Sequence, residues 1–173
     1  MRRQPHRDNS DPSRPDPTPA EVRAHAAAAR ARKEAEAGAI GIDAAFVDRF
    51  VEGFYERIRA DDLLGPIFAA RITDWPWHLD RMKGFWRSIL MGSGEFTGNP
   101  MAKHLAIGGL DAGHFTRWLD LFYATLRALE SDPAATHLVG TRARMIADSL
   151  LTGIATRAEG LGGAKAGAEL PHV

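Results

Sequence analysis

Residues 43–58, Asp43-Ala44-Ala45-Phe46-Val47-Asp48-Arg49-Phe50-Val51-Glu52-Gly53-Phe54-Tyr55-Glu56-Arg57-Ile58, decide the fold class. Phe46, Phe50, Phe54 and Ile58 recur every four residues, and Val47, Val51 and Tyr55 form the adjacent row. That is the period of a helix with a wide apolar stripe, not the alternation of a half-buried strand. Asp43 can cap the helix, and Tyr55 falls on the inward face.

Downstream of this stretch the same period returns. Leu64-Gly65-Pro66 breaks the pattern before Phe68 and predicts a turn and a short corner segment. Asp74 can cap a second helix with Pro76 in its first turn, and His78, Met82, Phe85, Trp86 and Ile89 share one stripe that His78 opens. Gly92, Gly94 and Gly98 predict a mobile connection. Asn99-Pro100 then reads as the cap and first residue of a helix of about two turns, with Met101, His104 and Leu105 on its inner face. Gly108-Gly109 ends it. Asp111 can cap a helix whose stripe runs through Phe115, Trp118, Leu119, Phe122, Leu126 and Leu129. Ser131-Asp132-Pro133 starts a last helix carrying Leu138, Met145, Ile146, Leu150 and Ile154. The chain therefore reads as an all-α domain of four main helices and one short, glycine-flanked helix with an inward histidine.

The flanks differ in composition. Residues 1–19 are dense in Pro, Arg, Asp and Ser and bury too little apolar surface to offset the entropy of ordering them. Residues 20–39 are alanine-rich with alternating charge, which favours helix by propensity without offering a large apolar face. The expected layout is a flexible extension with a frayed helix over residues 1–40, a folded domain over 41–160, and a disordered Gly/Ala-rich tail over 161–173.

Composition narrows the chemistry. A chain of 173 residues with 45% hydrophobic content suits one domain with a real core. Lys plus Arg equals Asp plus Glu at 22 each, so no global field attracts nucleic acid or an anionic membrane. Cysteine is absent, which removes disulfides, thiolate ligands and thiol nucleophiles and leaves histidine or carboxylate for any metal. No apolar run approaches the roughly 20 residues of a membrane span, and the start has paired arginines but no apolar stretch of a secretory signal. A cytoplasmic protein is the expectation.

The inward residues with polar atoms are Tyr55, His78, His104 and Trp118. Each has a plain reading: an inward histidine on an apolar helix is more often a hydrogen-bonded core residue than a metal ligand, His78 can turn to solvent at its helix end, and buried Tyr and Trp bond to backbone. Each also suits a haem slot, which needs one axial nitrogen, a flat apolar lining, and donors on the ligand side. His114, four residues before Trp118, is a rival to His104 on spacing alone.

The order Phe54-Tyr55, Leu64-Gly65-Pro66-Ile67-Phe68, Trp77-His78, Phe85-Trp86, Met91-Gly92, Gly98-Asn99-Pro100, Lys103-His104-Leu105 and Phe115-Thr116-Arg117-Trp118-Leu119 resembles the truncated globins, specifically their group III. The likeness spans residues 42 to 158 with order and spacing retained. It implies a shortened globin fold, a two-over-two helical sandwich around haem b (iron protoporphyrin IX). It places the proximal iron ligand at His104, rather than His114, and distal polar roles at Tyr55, His78 and Trp118. Phe68, Met82, Phe85, Trp86 and Leu105 become the porphyrin contacts. The resemblance further implies oxygen, nitric oxide, carbon monoxide or cyanide as ligands, with redox chemistry on oxygen, peroxide or nitric oxide fed by a reductase as one extension of that role. A haem-based gas or redox sensor acting through a partner, and a helical interaction module without cofactor, are the alternatives. Family members often carry tyrosine where this chain has Phe96, a place read as peripheral.

Overall fold

The structure, a computed structural model, describes residues 18–173. The expectation of a flexible tail before residue 18 lies outside the described residues.

Among the described residues seven helices follow in order: α1 (Pro19–Ala39), α2 (Ala44–Arg59), α3 (Gly65–Ala69), α4 (Trp75–Met91), α5 (Pro100–Leu105), α6 (Ala112–Ala128) and α7 (Pro133–Glu159). A short 3-10 segment, Gly160–Lys165, comes last, and no strand occurs among the described residues. The starts sit where the capping side chains put them. Asp43, Asp74, Asn99, Asp111 and Asp132 each accept a backbone N–H from the first turn of α2, α4, α5, α6 and α7, satisfying donors that have no partner inside the helix.

Helices α2 and α4 run antiparallel, as the pairings Asp48 with Arg87, Glu52 with Lys83 and Tyr55 with His78 show. The short turn after Leu129 folds α7 back on α6. The two pairs meet through an aromatic spine. Phe46, Phe50 and Phe54 stack along α2 at 6.3 and 6.2 Å. Phe122 of α6 meets Phe50 at 4.6 Å and Phe54 at 5.1 Å, both edge-on. Trp86 of α4 closes the cluster at 5.2 Å from Phe122. Phe46, Phe50, Phe54 and Phe122 are essentially sealed from solvent, so truncating any one to alanine would cost about 3–5 kcal/mol.

Three segments differ from the sequence expectation. Helix α1 is a complete 21-residue helix opened by a Thr18–Glu21 capping box, although it buries only Ala37. Besides packing on α4, it is tied to the body by the Lys33 Nζ, which donates to the Ile89 carbonyl near the end of α4 at 2.9 Å. The connection over residues 92–99, expected to be mobile, is pinned: Phe96 N donates to Ser88 Oγ at 3.0 Å, Arg87 grips Glu95 at 2.7 Å, and Arg81 donates to the Thr97 carbonyl at 3.2 Å.

The C-terminal segment, expected to be a disordered tail over 161–173, instead folds back along α7. Arg144 donates to the Leu170 and Ala168 carbonyls at 3.1 and 3.0 Å, Tyr123 donates to the Pro171 carbonyl at 2.9 Å, and Leu170 is buried. Small residues permit the approach: a Cβ at Gly167 would collide with Asp148 of α7. Composition suggested looseness, but glycine here serves close packing.

Candidate functional site

Between the helix pairs lies a cavity with an empty volume of about 980 Å³, its open mouth included. Its walls are apolar: Leu64, Ile67 and Phe68 from the α3 corner, Met82, Phe85 and Trp86 from α4, Ile107, Leu110 and Phe115 from the α5–α6 region, and Ile146, Ala147 and Leu150 from α7. Tyr55, His78, His104, His114 and Trp118 border it as well and, with Trp86, carry side-chain nitrogen or oxygen.

His104 reaches the cavity because Asn99 and Pro100 start α5 on the correct turn. Its Nδ1 lies 2.8 Å from the Pro100 carbonyl oxygen. A carbonyl only accepts, so Nδ1 carries a proton, and in the neutral ring Nε2 is the nitrogen that keeps its lone pair. Neutral imidazole with its second nitrogen fixed by a backbone acceptor is the form in which histidine binds a metal. Among the described residues no group of three or more His, Asp or Glu converges on a point. Without such a cluster, a single oriented imidazole such as His104 in an apolar slot fits a metal whose remaining in-plane ligands come from a macrocycle, as in haem.

A second polar group comes from α2, α4 and α6. Tyr55 is buried and meets His78 edge-on at 5.1 Å and Phe68 at 5.9 Å. Its hydroxyl makes no hydrogen bond with the described residues, and burial pushes its pKa well above the ordinary phenol value. The Nε2 of His78 is buried and has no partner. Burial first, and repulsion from the Arg81 guanidinium second, hold the His78 ring below its ordinary pKa of 6.5. Trp118 stacks on Phe122 at 5.0 Å and stands edge-on to Phe54 at 5.2 Å, which orients the indole at the cavity wall. An orphaned imidazole nitrogen and a phenol beside an otherwise apolar slot mark a place where a small polar ligand is to be met.

Of the residues read from the sequence, Tyr55, Phe68, His78, Met82, Phe85, Trp86, His104 and Trp118 all border this cavity, and Leu105 does not. Ile107 and Leu110, just past α5, take the place assigned to Leu105. The α7 residues Ile146 and Leu150 were legible only as an apolar stripe. His114, set aside as an iron ligand, also borders the cavity, with its Nδ1 2.7 Å from Asp111 Oδ1.

Two supports lay beyond sequence patterning. Phe96, read as peripheral, packs edge-on against the wall residue Phe85 at 5.0 Å under the Arg81 guanidinium. Asp61 is buried and accepts from Leu63 N, Leu64 N and Arg117 Nε at 3.1, 2.9 and 2.6 Å. It ties the α3 corner to the residue preceding Trp118. Burial works to raise the Asp61 pKa, but the bonds from Leu64 and Arg117 outweigh it, and the carboxyl sits below its ordinary 3.8.

No family model matches the chain. It is 33% identical over 110 residues to the group 3 truncated hemoglobin ctb of Campylobacter jejuni, covering 61% of this chain and 86% of that protein. Its fold is similar to the crystal structure of a group III truncated hemoglobin from Campylobacter jejuni, with a TM-score of 0.62, 32% identity and coverage of 65% of this chain and 91% of the other. It is also similar to the 2/2 hemoglobin of a Synechococcus species, solved in the cyanomet state with covalently attached haem, at a TM-score of 0.58, 25% identity and coverage of 68% and 95%.

Proposed function

The chain belongs to the group III truncated haemoglobins, and on that premise we propose that it binds haem b through His104 and presents small diatomic ligands to Tyr55, His78 and Trp118. The observation that carries the proposal is the His104 Nδ1 to Pro100 carbonyl contact at 2.8 Å, on the border of a cavity shared with the orphaned His78 Nε2. Haem, when bound, supplies an iron centre that takes oxygen, nitric oxide, carbon monoxide or cyanide.

The protein's part is orientation and polarity. His104 offers Nε2, and the Pro100 carbonyl holds its ring in one tautomer and makes it a better electron donor. Phe68, Met82, Phe85 and Trp86 exclude water from the slot, which strengthens any hydrogen bond formed inside it. The Tyr55 hydroxyl and Trp118 indole are donors for a ligand that gains negative charge, and charge-assisted bonds of this kind are roughly twice as strong as neutral ones. The burial that raises the Tyr55 pKa keeps its proton in place. Tight retention of this sort suits redox chemistry on oxygen, peroxide or nitric oxide, with electrons from a reductase, better than reversible storage.

The test is an absorption spectrum after adding hemin to the apo-protein. A Soret band that appears in the wild type and is lost in His104→Ala supports the assignment; a folded protein that stays colourless ends it. A sensor acting through a partner is the second reading, favoured by one contact, the Lys33 bond that ties the otherwise exposed α1 to the α4 helix bearing His78. A partner whose affinity for the full chain changes with ligand state, and that is lost without α1, would support it.

A further inference from the structure

Besides the indole of Trp86, five residues bordering the cavity carry side-chain nitrogen or oxygen, and the proposed function uses four of them: His104 as ligand, and Tyr55, His78 and Trp118 toward the small molecule. His114 is left over. It stands in the first turn of α6, bordering the cavity while keeping partial exposure, 20% of its side chain. Its partner, Asp111, is 71% exposed. The imidazole therefore bridges from the apolar interior to the solvent, and it belongs to the mouth rather than to the floor.

The ring is held in place by a local device. Asp111 caps α6 by accepting from the His114 backbone N–H at 3.2 Å, and the same carboxylate oxygen lies 2.7 Å from His114 Nδ1. A bond that short to an anion puts a proton on Nδ1, and it pulls the Asp111 carboxyl below its ordinary pKa of 3.8. With Nδ1 committed, only Nε2 is free to act on anything the cavity holds, and in the imidazolium form it is a charged donor.

Iron protoporphyrin is apolar over most of its area but carries two propionate carboxylates on one edge. That edge must reach a cavity mouth, since a carboxylate buried without a partner is costly. No lysine or arginine borders this cavity among the described residues. Resting on the haem reading above, we propose that His114, oriented by Asp111, binds one propionate of the porphyrin through Nε2. The residue rejected as an iron ligand is thus an anchor for the cofactor's acidic edge, and Asp111 is its positioning residue.

The experiment is a cross between side chain and ligand. Apo-protein, wild type or His114→Phe, is loaded with hemin or with its dimethyl ester, whose carboxylates are blocked, and loss of each porphyrin to an excess of apomyoglobin is timed. For hemin, the substitution should speed loss about tenfold, the size of one charged hydrogen bond. For the ester it should change little. Asp111→Asn, which keeps a capping oxygen, should fall between wild type and His114→Phe with hemin and match both with the ester. His114→Gln serves in place of His114→Phe if that variant does not fold. Equal acceleration with both porphyrins means that His114 only packs or caps, and overturns the proposal while leaving haem binding intact. Uptake of neither porphyrin by the folded wild type overturns both.

Discussion

The Nδ1 of His104 lies 2.8 Å from the Pro100 carbonyl oxygen, one helical turn earlier on the same short helix. The contact sets the tautomer, and with it which nitrogen is offered to the cavity. Replacing His104 by alanine should therefore lower haem retention by more than the roughly 10–100-fold typical of losing only a partner of a metal ligand. Free imidazole should restore part of the Soret band. A normal five-coordinate spectrum in the variant would place the ligand elsewhere.

Tyr55 and Trp118 carry donors at an otherwise apolar wall. Removing one from such a site costs about 1–3 kcal/mol, so Tyr55→Phe and Trp118→Phe should each raise the oxygen or cyanide dissociation rate by about 10- to 100-fold. Stopped-flow displacement measures this directly. Unchanged rates in both variants would remove these residues from ligand stabilisation.

His78 makes stability depend on pH in a defined direction. Its folded pKa lies below the ordinary 6.5, because burial and Arg81 disfavour the cation. Above pH 6.5 the ring is neutral in both folded and unfolded chains and contributes nothing. As pH falls below 6.5, the unfolded chain takes the proton first, and stability is lost down to the folded value. Chemical denaturation of His78→Phe between about pH 7 and pH 5 should show a flatter curve than wild type. The same protonation drives the ring toward solvent, so ligand association should quicken as pH falls in the wild type and be fast at all pH in His78→Ala. Matching association rates in the two proteins would count against a gate.

Asp61 acts at lower pH with the opposite sign. Its folded pKa lies below 3.8, so its stabilisation is complete above that value and disappears as pH falls through the folded pKa. Asp61→Ala should lose about 1–3 kcal/mol at neutral pH, since it strands the Leu63 and Leu64 N–H groups at the α3 corner. Asp61→Asn should flatten the acid limb. An acid transition identical to wild type in Asp61→Asn would assign that limb to other carboxylates.

Gly167 tests the C-terminal segment. A Cβ there meets Asp148, so Gly167→Ala should destabilise the protein by about 1–3 kcal/mol through overpacking. Hydrogen exchange should rise first at Ala168 and Leu170, whose N–H groups donate to the Lys165 and Gly167 carbonyls. No change in melting temperature would mean that the segment yields without cost.

The all-α class, the helix starts and most of the cavity wall were legible in the sequence, because they depend on local physics. A Phe46-Phe50-Phe54-Ile58 row can bury itself only as a helix, and Asp43, Asp74, Asn99, Asp111 and Asp132 cap helices through bonds to residues two or three positions away. Leu105 does not border the cavity, since which residues of a two-turn helix face it is settled by packing. The Arg117–Asp61 tie joins residues 56 apart, and Lys33 reaches Ile89 across the same separation of 56. No periodicity encodes such pairs. The C-terminal glycines carried two meanings by composition, freedom or closeness. Only the tertiary structure, by laying α7 beneath them, decided for closeness.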